Sequence, residues 1–162
     1  MADYFTQFSC VLDVGSSDNV ARALKLHREM ELAYAAFEQS EMGFAIEPNG
    51  PTSICMHDGD GFGDQEHVIE FVLRCAAEFD LRGRWGFTWA LTCSRPRTDG
   101  FGGGAQLLDL SARRSLDWID CDHWLAVGLA DDDSGGGPAP TNTTDDPSGP
   151  PSAGRSVSGD GQ

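Results

Sequence analysis

Lysine is nearly absent. Lys25 is the one lysine among 11 basic residues, which stand against 26 acidic ones and leave a net charge of -15 in 162 residues. A chain so short of positive charge makes a poor general coat for nucleic acid or for an anionic membrane, both of which ask for cations against phosphate. Its other bases are arginines, the side chain suited to bidentate contacts at interfaces. No apolar run approaches the ~18 residues of a membrane span. The start, Met1-Ala2-Asp3-Tyr4-Phe5-Thr6-Gln7-Phe8, has neither a basic stretch nor a long apolar one, so no secretory or transit segment is read there and a cytoplasmic protein is expected. A C-x-x-C pair is missing as well. Cys10, Cys55, Cys75, Cys93 and Cys121 are odd in number and sit in strand-like or helix-like surroundings, which disfavours a zinc knuckle or a disulfide framework. Reduced thiols acting as small hydrophobes are expected instead.

What is present suffices for one core. Hydrophobic residues make up 40% and aromatics 9%, and a domain of about 130 residues buries roughly two-thirds of its unfolded surface. Composition changes after Ala130, where Asp131-Asp132-Asp133-Ser134-Gly135-Gly136-Gly137-Pro138 opens a stretch of Gly, Pro, Ser, Thr and Asp. Such a stretch cannot offset its ordering entropy by burial. A single domain over residues 1–130 and a disordered tail over residues 131–162 are expected.

Within the domain, Tyr4 to Val14 reads as a strand, with clean alternation from Phe8 through Cys10 and Leu12 to Val14. Gly15 ends it. Ser16, Ser17 and Asp18 are candidate N-caps for a long helix closing near Gln39 or Ser40. Residues 43–47 and 52–57 flank the turn Pro48-Asn49-Gly50-Pro51 and predict a hairpin. Asp64 can cap a helix over residues 65–79, where Val68, Ile69, Val72, Leu73, Ala76 and Phe79 recur at helical spacing. Strands follow over residues 84–93, 105–110 and 116–119, and Asp120 or Asp122 can cap a short last helix through Trp124, Leu125 and Leu129. The predicted order β-α-β-β-α-β-β-β-α, rich in hairpins, gives an α+β fold: a mostly antiparallel sheet with the two longer helices on one face.

Charge is distributed in two poles. Met1 to Asp80 holds 15 acids and 4 bases, net -11, whereas Leu81 to Ala130 holds 6 bases and 5 acids, net +1. Acids gather at Glu29, Glu31, Glu38 and Glu41 on the first helix and its exit, and at Asp58, Asp60, Asp64 and Glu66 in the loop before the second. A dense carboxylate face imitates the field of a phosphate backbone and associates quickly and salt-sensitively with a basic groove. The competing account is that the acids merely keep a small protein soluble.

Three stretches invite a chemical reading. In Asp58-Gly59-Asp60-Gly61-Phe62-Gly63-Asp64 the acids alternate as in a calcium loop, but Phe62 and Ile69 occupy positions that need oxygen ligands, so this is not an EF-hand. A weaker divalent site drawn from His57, Asp58, Asp60, Asp64 or His67 stands beside the reading of a Gly-rich turn whose acids favour the helix N-terminus. Cys93-Ser94-Arg95-Pro96-Arg97 puts a thiol beside two guanidinium groups, but the arginine a phosphatase-type loop requires is replaced by Asp99. Phe101-Gly102-Gly103-Gly104-Ala105 lacks the helix and Lys-Ser/Thr of a phosphate cradle, and a hairpin with positive φ angles accounts for its glycines. Trp85, Trp89, Trp118 and Trp124 are expected in the core or at a sheet edge. No catalytic residue, metal ligand or cofactor is assigned.

Trp85-Gly86-Phe87, Thr92-Cys93-Ser94-Arg95-Pro96-Arg97, Phe101-Gly102-Gly103-Gly104-Ala105, Asp109-Leu110 and Asp117-Trp118 together form a pattern across residues 65–125. It resembles small, uncharacterised acidic proteins carried by bacterial phages, plasmids and related mobile elements. The resemblance brings no activity, ligand or catalytic residue. By analogy it implies an inhibitor of a host defence of the anti-CRISPR or anti-restriction type, and hence as partner a host protein or ribonucleoprotein complex with a basic surface. Direct nucleic-acid or membrane binding is not expected. The interaction residues expected are Glu29, Glu31, Glu38, Glu41, Asp58, Asp60, Asp64 and Glu66, with Arg95 and Arg97 of the later hairpin. A small metal-dependent or cysteine-based enzyme around His57, Asp58, Asp60 and Cys93, and a structural or assembly component, are the alternatives from other classes.

Overall fold

A computed structural model of the chain describes residues 2–37, 41–98 and 100–131. Its elements are β1 (Tyr4–Gln7), β2 (Ser9–Asp13), α1 (Ser17–Phe37), β3 (Ala45–Pro48), β4 (Ser53–His57), α2 (Gln65–Phe79), β5 (Arg84–Cys93), β6 (Gly102–Asp109), β7 (Arg114–Asp120) and α3 (Cys121–Asp131). All named strand pairs are antiparallel, and the fold is α+β. Except for Asp131, the tail expected beyond Ala130 lies outside the described residues.

The first predicted strand is two. Tyr4 to Gln7 pairs with β5, from Tyr4 opposite Cys93 to Gln7 opposite Ala90, whereas Ser9 to Asp13 pairs with β4. Between them Phe8 buries its ring, and its N–H leaves the ladder to donate to Asp58 Oδ1 at 3.0 Å. The strands therefore form two sheets, a four-stranded one in the order β1-β5-β6-β7 and a three-stranded one in the order β2-β4-β3. The Trp85 indole N–H ties them together by donating to the Val11 carbonyl at 2.8 Å.

Both longer helices share one core with these sheets. Val20, Ala23 and Met30 of α1 and Val68, Phe71, Val72, Cys75 and Ala76 of α2 meet Leu12, Ile54, Met56, Phe87 and Leu108. Each such large side chain stabilises by about 1.5–3 kcal/mol on burial. Ser16 Oγ accepts the Asn19 N–H at 3.2 Å at the start of α1. Asp64 caps α2 as expected, accepting from the Glu66 and His67 amides at 2.9 and 3.1 Å. Asp80, in the left-handed region at φ 52°, closes that helix. An Arg22–Glu78 ion pair and a Tyr34–Glu70 hydrogen bond link α1 to α2.

The glycine run plays a different part from the turn expected of it. Gly102, Gly103 and Gly104 lie within β6, and of the three only Gly103 has a positive φ. Gly104 is opposite Trp89, whose indole lies where a Cβ would stand, and a Cβ at Gly103 would strike the Trp89 carbonyl. The run is glycine because neighbours crowd all three positions, Asp122 at Gly102, the Trp89 carbonyl at Gly103, and the Ile119 carbonyl with the Trp89 indole at Gly104. Of the tryptophans, Trp85 and Trp89 pack against the core and Trp118 stands exposed on the edge strand β7, as expected, whereas Trp124 stands exposed on α3.

Candidate interaction site

The β3–β4 hairpin brings distant acids together. Its register sets Ala45 opposite His57, so the approach to β3 runs beside the loop that leaves β4. A cleft of about 580 Å³ opens there, lined by Glu31 of α1, Glu41 and Phe44 of the approach, and Asp58, Asp60 and Phe62 of the loop. Four of the expected interaction acids thus converge on one concavity.

The loop is held from both sides. Thr6 donates its N–H to the Gly61 carbonyl at 2.7 Å, Gly63 donates to the Thr6 carbonyl at 3.0 Å, and Asp64 donates to the Gly43 carbonyl at 3.3 Å. Gly61 has φ +85°, and a Cβ there would lie 2.8 Å from the Phe5 ring. Gly43, at φ +68°, sits as tightly against the Phe62 carbonyl and Asp64. These glycines press the loop onto β1 and onto the entry to β3, which fixes Asp58 and Asp60 at the cleft instead of leaving them on a free turn. Asp58 has a structural duty besides, since one of its oxygens accepts from Phe8. Phe62 is exposed on the rim and touches Phe5 at 6.1 Å between ring centroids.

Beneath the cleft lies His27, 5% exposed and wedged edge-on against Phe44 and Phe71. Its Nε2 is 3.1 Å from the Phe44 carbonyl. A carbonyl only accepts, so Nε2 carries the proton and neutral His27 turns the Nδ1 lone pair toward Glu31, 3.6 Å away. Burial lowers the His27 pKa below its ordinary value, opposed by the charge of Glu31 and by the Phe44 carbonyl. Neutral His27 thus sets no positive charge against Glu31 at neutral pH.

The remaining expected residues lie elsewhere. Glu29 is exposed and pairs with Lys25 at 3.6 Å. Asp64 is engaged as the α2 cap, 3.5 Å from His67 Nδ1. Glu66 lines a separate cleft of about 380 Å³ between α2 and the larger sheet, with Asp120 and Trp118. Glu38 lies outside the described residues. Arg95 and Arg97 sit in the exposed turn after β5, with Arg97 6.0 Å above the Tyr4 ring, and neither lines the acidic cleft.

Among the described residues no group of three or more His, Cys, Asp or Glu side chains is arranged to hold a metal ion. Cys93 lies on the larger sheet with Gly100 packed on it, while His57, Asp58 and Asp60 belong to the end of β4 and its loop. The cysteines are free thiols among the described residues. Burial pushes Cys10 and Cys75 up to about 12, which keeps both protonated and unreactive. No helix among the described residues is long and apolar enough to cross a membrane. Sequence reasoning missed Phe44, Phe62 and Gly43; the hairpin register was the signal that would have placed them beside Asp58. No protein-family model, curated protein or solved structure matches the chain.

Proposed function

We propose that the protein is a non-enzymatic binding protein whose acidic cleft seats an arginine or lysine side chain from a basic, nucleic-acid-handling surface of a host complex. The observation that carries this is the convergence of Glu31, Glu41, Asp58 and Asp60 on one concavity. An exposed aromatic, Phe62, stands beside them to stack on a guanidinium or cover its stem. The overall charge of -15 speeds the encounter with a basic surface and makes it salt-sensitive. The resemblance to acidic proteins of mobile elements favours a defence complex of the anti-CRISPR or anti-restriction type as the host target.

The test uses an arginine-rich peptide as probe, titrated at two ionic strengths. The purified protein is expected to bind it, more weakly at high salt. Asp60→Lys, inside the cleft, and Glu47→Lys, exposed outside it, change the net charge equally. Asp60→Lys is expected to weaken binding about tenfold or more, because a cation at ~4 Å is worth about 1 kcal/mol in water and more in a concavity. Glu47→Lys is expected to change it little. Equal losses for the two variants would reduce the acids to a diffuse solubilising charge and overturn the cleft as a site.

A further inference from the structure

The apolar surface of this molecule gathers at the edge of the larger sheet farthest from the cleft. In the order β1-β5-β6-β7 the strand β1 holds the 58–64 loop through Thr6, and β7 is three strands away, about 14 Å at the usual strand spacing. Among the described residues β7 pairs with β6 alone, which leaves its outer edge without a partner there, and it runs directly into α3. In α3 seven successive residues, Trp124 to Ala130, carry no polar side chain, and all seven are exposed. A helix apolar all round is ordinarily buried. Trp118 is 61% exposed and Trp124 66%. Leu125, Val127 and Leu129 of α3 are exposed with them, as are Leu107 and Ile119 on the other face of the sheet, so α3 and the strand edge beside it hold most of the exposed large apolar side chains among the described residues.

We infer that a second copy of this chain covers this edge, in a twofold-symmetric dimer. The residues after Asp131 hold little apolar side chain to match such an edge, with Val157 the one large aliphatic residue and no aromatic among them. Charge favours a like partner. The contact itself carries little of the negative charge: β7 and α3 hold Arg114 against Asp117, Asp120, Asp122 and Asp131, net -3, whereas Met1 to Asp80 is net -11. Along β7 the bases Arg113 and Arg114 precede the acids Asp117 and Asp120, so an antiparallel twofold approach sets each basic end against the partner's acidic end. The ladder shift between Leu107 and Leu108 puts a bulge in β7, which disfavours a hydrogen-bonded extension of the sheet. The contact is therefore made by side chains of α3 and the β7 edge.

Sedimentation equilibrium of the full chain from low to high micromolar tests this. The expected result is reversible association to twice the 17.4 kDa chain mass. Leu125→Glu with Leu129→Glu, both exposed in the single chain, is expected to leave the circular dichroism and melting of the monomer unchanged and to abolish the dimer. Arg114→Asp alone is expected to weaken association, and Arg114→Asp with Asp117→Arg to restore it. A wild-type chain that stays monomeric throughout overturns the inference, as does a dimer indifferent to the α3 substitutions. A folded monomer whose mass rises only on adding another protein would assign the edge to a foreign partner and overturn it equally.

Discussion

Asp58 carries two separable roles, and substituting it in two ways pulls them apart. Its Oδ1 accepts the N–H of Phe8 at 3.0 Å, at the point where the chain leaves one sheet for the other, and Phe8 is 6% exposed. Asp58→Ala leaves that amide without its partner. A hydrogen bond to a charged group contributes about 1.5–3 kcal/mol, and a buried orphan donor costs a similar amount, so a loss of about 2 kcal/mol is expected. For a domain of this size, at roughly 3–5 °C per kcal/mol, the melting temperature falls by about 6–10 °C. Asp58→Asn keeps an acceptor oxygen for Phe8 and removes the charge, and should lose less than half as much. Both remove one carboxylate from the cleft, so both should weaken the arginine-rich peptide alike, by roughly fivefold for ~1 kcal/mol. Urea unfolding and calorimetric melting read the first effect, and peptide titration reads the second. If Asn is as destabilising as Ala, or if Ala costs under about 0.5 kcal/mol, the Phe8 hydrogen bond is not what fixes the switch between sheets.

Acid should unfold the protein in two stages. The folded His27 pKa lies below the ordinary 6.5, so the unfolded chain binds more protons below that value and stability falls as pH drops through it. The groups facing the ring are Glu31 on its own helix and the uncharged Phe44 and Phe71, so urea midpoints of His27→Gln should be flatter than wild type between about pH 7 and 5. Glu70 is held below its ordinary 4.5 chiefly by the Tyr34 hydroxyl, and its contribution, present above that value, is lost as pH falls further. A wild-type midpoint that does not move between neutral and mildly acid pH would contradict the burial of neutral His27. In thiol labelling of the native protein, exposed Cys121 should react first, and Cys75, fully buried with its pKa near 12, only after denaturant is added. Rapid labelling of Cys75 in the native state would place it outside the core.

The elements that the sequence revealed best are those set by local chemistry. Asp64 and the spacing of apolar residues place α2 at Gln65–Phe79, because a capping carboxylate and one apolar stripe both lie within the segment. The split of the first strand was half-visible. Phe5 breaks the parity kept by Phe8, Cys10, Leu12 and Val14, and that break falls where the chain changes sheets. Its cause, an Asp58 oxygen 50 residues away, has no local signature. Likewise Gly102 to Gly104 read as a turn because positive φ is the commonest reason for glycine; here only Gly103 has one, and close neighbours, Asp122, the Trp89 backbone and indole and the Ile119 carbonyl, crowd the strand at all three. Of the acids, Glu31, Glu41, Asp58 and Asp60 were singled out by density alone. Their convergence follows from the antiparallel β3–β4 register, while Glu66 and Asp64 point to other duties because they begin a helix.

The two surfaces make demands of opposite sign, and the sheet order reconciles them. A site that attracts cations needs uncompensated carboxylates, whose mutual repulsion also drives two copies apart. Self-association needs apolar area. With the four cleft acids on the β1 side and the apolar residues at β7 and α3, the repulsion between clefts across a twofold contact acts over several strand widths. At physiological salt the screening length is about 8 Å, shorter than the ~14 Å from β1 to β7, so cleft charge opposes pairing only weakly. Substitutions on α3 should therefore leave the affinity for a single arginine-rich peptide unchanged, and Asp60→Lys should leave the dimer intact. A dimer also presents two clefts, so its advantage over a monomer should emerge only on a host surface that repeats its basic site within reach of both. Were Asp60→Lys to dissociate the dimer, the two surfaces would be one, and the separation by sheet order would fail as an explanation of either.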